Sequence, residues 1–157
     1  MTISNRFLLS VDAGIRTGLA LYNSSGELKW YRSHNLGSIA SLRKVAYSML
    51  KSIEGLEYIV VEGGGPITSV WINAAQKLKI ITIRTDAGEW RKELLYLKEH
   101  PNSQKAKESA IKLSRQIIDS SEAPAYNTPT HDAAEAILIG IWGCKKVNWI
   151  QSISLHH

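Results

Sequence analysis

The chain has 157 residues, of which 44% are hydrophobic, and a formal net charge of +5. That is the length of one domain, residues 1–157, able to bury a real core, and its basic balance favours a polyanionic partner, nucleic acid first. Its one cysteine, Cys144, excludes a disulfide framework or a cysteine-based zinc cluster, and no apolar run is long enough to span a bilayer.

Cys144 reads as a small buried hydrophobe, and the chain fits a reducing compartment. Met1 to Ser10 lacks the organisation of a signal peptide, so the expected location is cytoplasmic and no membrane partner is expected. His156-His157 is given no role.

Arg6 to Val11 is apolar and β-rich, a first strand ending at Asp12. Thr17 to Tyr22 resumes the β pattern after the Gly14–Gly18 turn. Asn23-Ser24-Ser25-Gly26 is a hairpin signal, and Leu28 to His34 alternates as a sheet edge would. Ser38 to Ile53 switches to helical spacing, with Leu42, Val45, Met49, Leu50 and Ile53 on one face. Tyr58 to Glu62 is uniformly apolar until its last residue, as a buried parallel strand would be. Gly63-Gly64-Gly65-Pro66 breaks the chain, Ile67 to Leu78 is a helix and Ile80 to Arg84 a short strand. Helical segments follow at Trp90–Glu99, stopped near His100-Pro101, and at Ser103–Ile118, with Asn102 or Ser103 as N-cap. Glu122 to Pro129 is a loop, and Thr130 caps a last helix running to about Cys144. The order β-β-β-α-β-α-β followed by helices predicts an α/β fold with a mixed five-stranded sheet flanked by helices.

Four acids stand out on this frame. Asp12 and Glu62 end strands, where such folds place ligands. Asp132 and Glu135, three residues apart, share one face of the last helix. Carboxylate oxygens suit magnesium and manganese, and two such ions can activate water and neutralise a leaving oxygen in phosphodiester cleavage. Each acid taken alone has a plainer reading: a turn cap at Asp12, an exposed strand end at Glu62, a helix-dipole partner at Asp132, surface charge at Glu135. Their joint placement favours the metal reading.

Val11-Asp12-Ala13-Gly14 with Thr17-Gly18, Val60-Val61-Glu62 and Asp132-Ala133-Ala134-Glu135-Ala136 resemble the anchors of the RuvC-type Holliday-junction resolvases, in the ribonuclease H-like superfamily. The resemblance spans Leu8 to Gly143 and lies nearer phage and organellar forms than standard bacterial ones. It implies a structure-selective DNA endonuclease, acting as a homodimer on four-way junctions, with two magnesium ions (manganese substituting) on Asp12, Glu62, Asp132 and Glu135. It also implies a nucleoid, organellar or phage-host setting as alternatives within the cytoplasmic expectation. The chain departs from the bacterial pattern in Ala13 where Pro is usual, a shorter turn after Asp12, and Glu135 where Asp is usual.

The resemblance extends to Glu89-Trp90-Arg91-Lys92 and to Lys105-Ala106-Lys107. It makes Lys107 the candidate for stabilising transition-state charge, with Lys105 close behind, and Arg91 and Lys92 DNA-binding candidates; the plain reading of Lys105 and Lys107 is a solvated helix face. Trp71 is a candidate for stacking at the junction, and Gly64, with Gly63 and Gly65, for close approach to a phosphate. Core burial of Trp71 and a flexible glycine hinge are the plain alternatives. His131 reads as a ligand or proton shuttle, or as an ordinary first-turn residue, the second being preferred. The apolar face for dimerisation is expected on the Ile67–Leu78 helix. Competing functions are a YqgF-like RNA-processing nuclease, a non-catalytic nucleic-acid-binding relative, and an ATP-binding phosphotransferase, for which the chain is too short to hold two similar lobes.

Overall fold

The structure is a computed structural model and describes residues 5–94, 103–125 and 128–155. Five strands, β1 (Phe7–Asp12), β2 (Arg16–Asn23), β3 (Leu28–Asn35), β4 (Leu56–Glu62) and β5 (Ile81–Thr85), form one sheet in the order β3-β2-β1-β4-β5. The first three pair antiparallel, as tight connections require, and β4 and β5 join parallel after helical crossovers. The helices are α1 (Ile39–Ser52), α2 (Gly65–Lys77), α3 (Ala87–Leu94), α4 (Ser103–Asp119) and α5 (His131–Lys146). The expected mixed five-stranded α/β architecture is the one observed. Among the described residues, no helix is long and apolar enough to cross a membrane.

Local chemistry explains the boundaries. The side chain of Ser38 accepts from the Ser41 amide at 3.2 Å and starts α1. Thr130 accepts from the Ala133 amide at 3.3 Å and starts α5, as the sequence predicts. Asp86 accepts from the Glu89 amide at 2.9 Å, so α3 begins three residues ahead of the expected Trp90. Gly65 and Pro66 belong to α2 rather than to the break before it, because a proline in the first turn lacks only a donor that has no partner there. The expected helical stretch beyond Leu94, its stop at His100-Pro101 and the cap at Asn102 lie outside the described residues.

Alternation along the central strands divides the interior into two cores. Leu9, Val11, Leu19, Leu21, Ile59 and Val61 face α1 and α2. Leu8, Ala20, Tyr22 and Val60 face α4 and α5. Strict alternation fails in β3: a bulge between Leu21 and Tyr22 makes Lys29 the extra residue, so Leu28 and Tyr31 share the α5 face. Trp71 is wholly buried in the α1–α2 core, which corrects its expected part in stacking on DNA. Thr68, Val70, Ala74 and Ala75 are buried with it. The apolar face of α2 is thus covered by its own sheet and by α1, leaving a largely polar outer side of Ser69, Asn73, Gln76 and Lys77.

Helix α5 lies across β1 and β2 and is buried from Ala133 to Cys144. Its seat is unusually close. A Cβ on Gly18 would stand 1.9 Å from the Asp132 carbonyl oxygen, and one on Gly140 would stand 2.2 Å from the Tyr22 ring. Ser10 donates to the Ala136 carbonyl and Tyr22 to the Ile137 carbonyl, each at 2.6 Å. Hydroxyls from the sheet therefore tie two adjacent carbonyls of α5 in place.

Gly18→Ala should force α5 off β2. A loss of about 3 kcal/mol is expected, near the upper range for overpacking, because the obstacle is backbone that cannot change rotamer. Thermal unfolding followed by circular dichroism measures it; an unchanged midpoint contradicts the close seat.

Candidate active site

Asp12 and Glu62 are the last residues of adjacent parallel strands and stand directly opposite each other in register. The parity that points Leu8 and Ser10 toward α5 points Asp12 there too, and Tyr58, Val60 and Glu62 follow the same parity. Gly18 is the cross-strand partner of Asp12 on the other side and contacts Asp132. The absent side chain at residue 18 is what admits the first turn of α5 beside Asp12. The structure thus brings the four acids to one end of one sheet face.

Their electrostatics show how tightly they meet. Burial, a hydrogen bond with Glu62, and the negative charge of Glu62, Glu135 and Asp132 push the Asp12 carboxyl up to about 8. At neutral pH Asp12 therefore keeps its proton and is hydrogen-bonded to Glu62. Glu135 is 3% exposed, and burial pushes its carboxyl up while Arg91 and His131 pull it down.

Basic groups hold two of the acids. The Arg91 guanidinium donates to Glu135 Oε1, and His131 Nε2 lies 3.2 Å from the same oxygen. Arg16 Nε is 3.8 Å from Asp132 Oδ2, and its side chain is 64% exposed. Among the described residues, no group of three or more His, Cys, Asp or Glu side chains is gathered at ligand distances. The acids are near enough to repel one another, but Asp132 and Glu135 are turned to arginine and histidine while Asp12 and Glu62 bond to each other. The donor set suits a hard divalent cation, because oxygen ligands predominate and a like-charge excess already holds a proton on Asp12.

The other sequence candidates fall into two groups. Arg91 is inside the site, on α3, its guanidinium also 5.1 Å from the Trp90 ring. Lys92 is exposed beside it, and Lys105 and Lys107 stand exposed on the first turns of α4. The contacts of Asp132 and Glu135 run to Arg16, Arg91 and His131 rather than to either α4 lysine. Gly64 is the exposed N-cap of α2, and a Cβ there would meet nothing within 4 Å. His131 reaches the site through Glu135, one turn along the helix, with Nε2 3.2 Å from Oε1. Arg16 escaped sequence reasoning; the signal was a cation four residues past Asp12, in the same turn.

No family model and no curated protein matches the chain. Solved structures do. RuvC of T. thermophilus, in complex with a Holliday junction substrate, superposes with a TM-score of 0.63 at 14% identity, covering 90% of this chain and 95% of that one. The yeast mitochondrial Holliday junction resolvase Ydc2 gives a TM-score of 0.55 at 12% identity, covering 88% of this chain and 78% of its own. At these identities the likeness is one of fold: this chain has the ribonuclease H-like fold of those resolvases.

The raised Asp12 carboxyl has a consequence for stability. The folded chain holds this proton up to about pH 8, whereas the unfolded chain releases it near pH 4. Stability from this group is complete below about pH 4, declines as pH rises and is gone above about pH 8. Asp12→Asn should therefore stabilise the metal-free protein at pH 8 by about 2 kcal/mol, the site being partly open to solvent, and by little at pH 4. Urea unfolding at the two pH values tests this; an equal effect at both contradicts the charge excess.

Proposed function

We propose that this chain is a structure-selective DNA endonuclease that cuts four-way junctions by metal-dependent phosphodiester hydrolysis. One observation carries the reading: Asp12, Glu62, Asp132 and Glu135 converge on one sheet face, where burial first and their mutual charge after it raise the Asp12 carboxyl. The fold shared with two junction resolvases supports the substrate class. The basic net charge supports a polyanion.

The four carboxylates would hold two magnesium ions, with manganese able to substitute. When bound, those ions supply an activated water and neutralise the 3′ leaving oxygen, so that the product carries a 5′-phosphate. The chain's own residues do the rest. Asp12 must release its proton for the cluster to act as a ligand set. Glu62, fixed by the β1–β4 register, orients Asp12 through their shared hydrogen bond. Lys107, exposed on α4, offers a cation to the scissile phosphate, and Lys105 and Lys92 extend the basic surface. The open backbone at Gly64 leaves room for a DNA strand.

A four-way junction presents two equivalent scissile strands, so a two-fold homodimer is the matching assembly. The groove between α1 and α2, about 310 Å³ and bordered by Arg43, Tyr47, Val70 and Lys77, is the surface we assign to it, Tyr47 being exposed.

Incubation with a synthetic four-way junction and magnesium should yield paired symmetric nicks. Asp12→Asn should lower the cleavage rate on the order of 10³-fold, beyond the roughly 10- to 100-fold typical of residues one shell out, while gel-shift binding persists. Cleavage of structured RNA in preference to the junction would move the assignment to RNA processing. Undiminished cleavage by the variant would remove the four acids from the mechanism.

A further inference from the structure

We propose that Arg91 is the resident counter-cation of the metal-free site, that it competes with a divalent cation for Glu135, and that metal binding releases it to substrate phosphate. The inference rests on the two-metal reading given above and adds a specific linkage to it.

Glu135 is the most enclosed of the acids, 3% exposed in the second turn of α5. A carboxylate there needs a partner, because leaving a buried charge unpaired is costly. Arg91 is that partner, reaching from α3 to Glu135 Oε1. Its side chain is only partly buried, at 31% exposed, so it closes the site from the rim and still meets solvent. His131 approaches the same oxygen at 3.2 Å, and its buried Nδ1 has no hydrogen-bond partner among the described residues. The other oxygen-directed contact in the cluster, Arg16 with Asp132 at 3.8 Å, is long and mostly exposed. Arg91 therefore dominates the positive charge at the inner end of the site.

A divalent cation at Glu135 Oε1, which already faces Arg91 and His131, would stand against the Arg91 guanidinium, and like-charge repulsion at that distance weakens the Arg91–Glu135 pair. Entry of a cation at Glu135 frees Arg91, which remains tethered through α3, where Trp90 is wholly buried. A planar guanidinium at the rim of the site suits a phosphate oxygen. Metal binding then uncovers a phosphate ligand, and the two binding events favour each other.

The direct test is divalent affinity without DNA, measured by titration calorimetry with magnesium and by manganese electron paramagnetic resonance. Arg91→Gln should bind the ion about 5-fold more tightly, a coupling within the usual range. Lys92→Gln removes the same charge one residue on and should shift affinity less than about 2-fold; an equal gain in both variants reduces the effect to bulk charge and overturns the proposal. Unchanged or weaker binding in Arg91→Gln also overturns it. If no variant and no wild-type protein binds a divalent ion, the two-metal reading itself fails, which is a different result from normal binding that ignores Arg91. A readout on the wild type covers a variant that does not fold. The nitrogen-15 signal of the Arg91 guanidinium should shift, and its proton exchange accelerate, on adding magnesium; a signal unmoved by saturating magnesium overturns the competition.

Discussion

Everything distinctive about this molecule depends on how closely α5 approaches the sheet. Three positions in the contact have no side chain, Gly18 on β2 and Gly140 and Gly143 on α5, and a Cβ at any of them would overlap its neighbour. Two hydroxyls, Ser10 and Tyr22, bond to α5 carbonyls across the contact. Steric permission and directed bonding fix different things. The glycines set the distance, and the hydroxyls set the rotation and register of the helix. Both are needed before acids at residues 132 and 135 can face one at residue 12.

That seat creates an electrostatic problem which the chain meets with its own cations. Four carboxylates meet at one end of the sheet, and burial, together with their repulsion, pushes the Asp12 carboxyl up to about 8. Arg91 and His131 take Glu135, and Arg16 lies near Asp132. The resulting network offsets part of that charge with groups that lie partly exposed at the rim. Fold stability and ligand affinity thus draw on the same carboxylates. A site built this way is least settled when empty at high pH, and any cation able to replace the proton and the guanidinium together stabilises it.

Much of this was legible in the sequence, for reasons that mark where legibility stops. Apolar, β-rich runs ending in Asp12 and Glu62 place both acids at strand ends, and parity sets their face once the strands pair in parallel. The i, i+3 spacing of Asp132 and Glu135 is a local property of a helix and survives folding. Thr130 as a cap follows from the same local chemistry. Trp71 and the apolar side of α2 were a different matter. Whether an apolar stripe is covered by its own chain or by a partner depends on the position of α1, which no local pattern encodes. The bulge that makes Lys29 the extra residue in β3 is likewise a property of the paired strands and not of either one. Arg16 and Arg91 are 75 positions apart in numbering yet serve neighbouring acids, so their shared role appears only in three dimensions.

The choice of glutamate at residue 135 follows from the same geometry. Asp132 lies in the first turn of α5, next to Gly18 and close to solvent, where a short side chain suffices. Glu135 is one turn further in, under Arg91 and beside His131. From there a carboxylate has to span toward α3 or toward Asp12, whose charge state it already affects. The extra methylene adds a rotatable bond and with it a second accessible direction. An aspartate at this depth would be held to a narrower arc set by the α5 backbone. The longer side chain is therefore suited to exchange partners, whereas the shorter one at residue 132 is suited to stay.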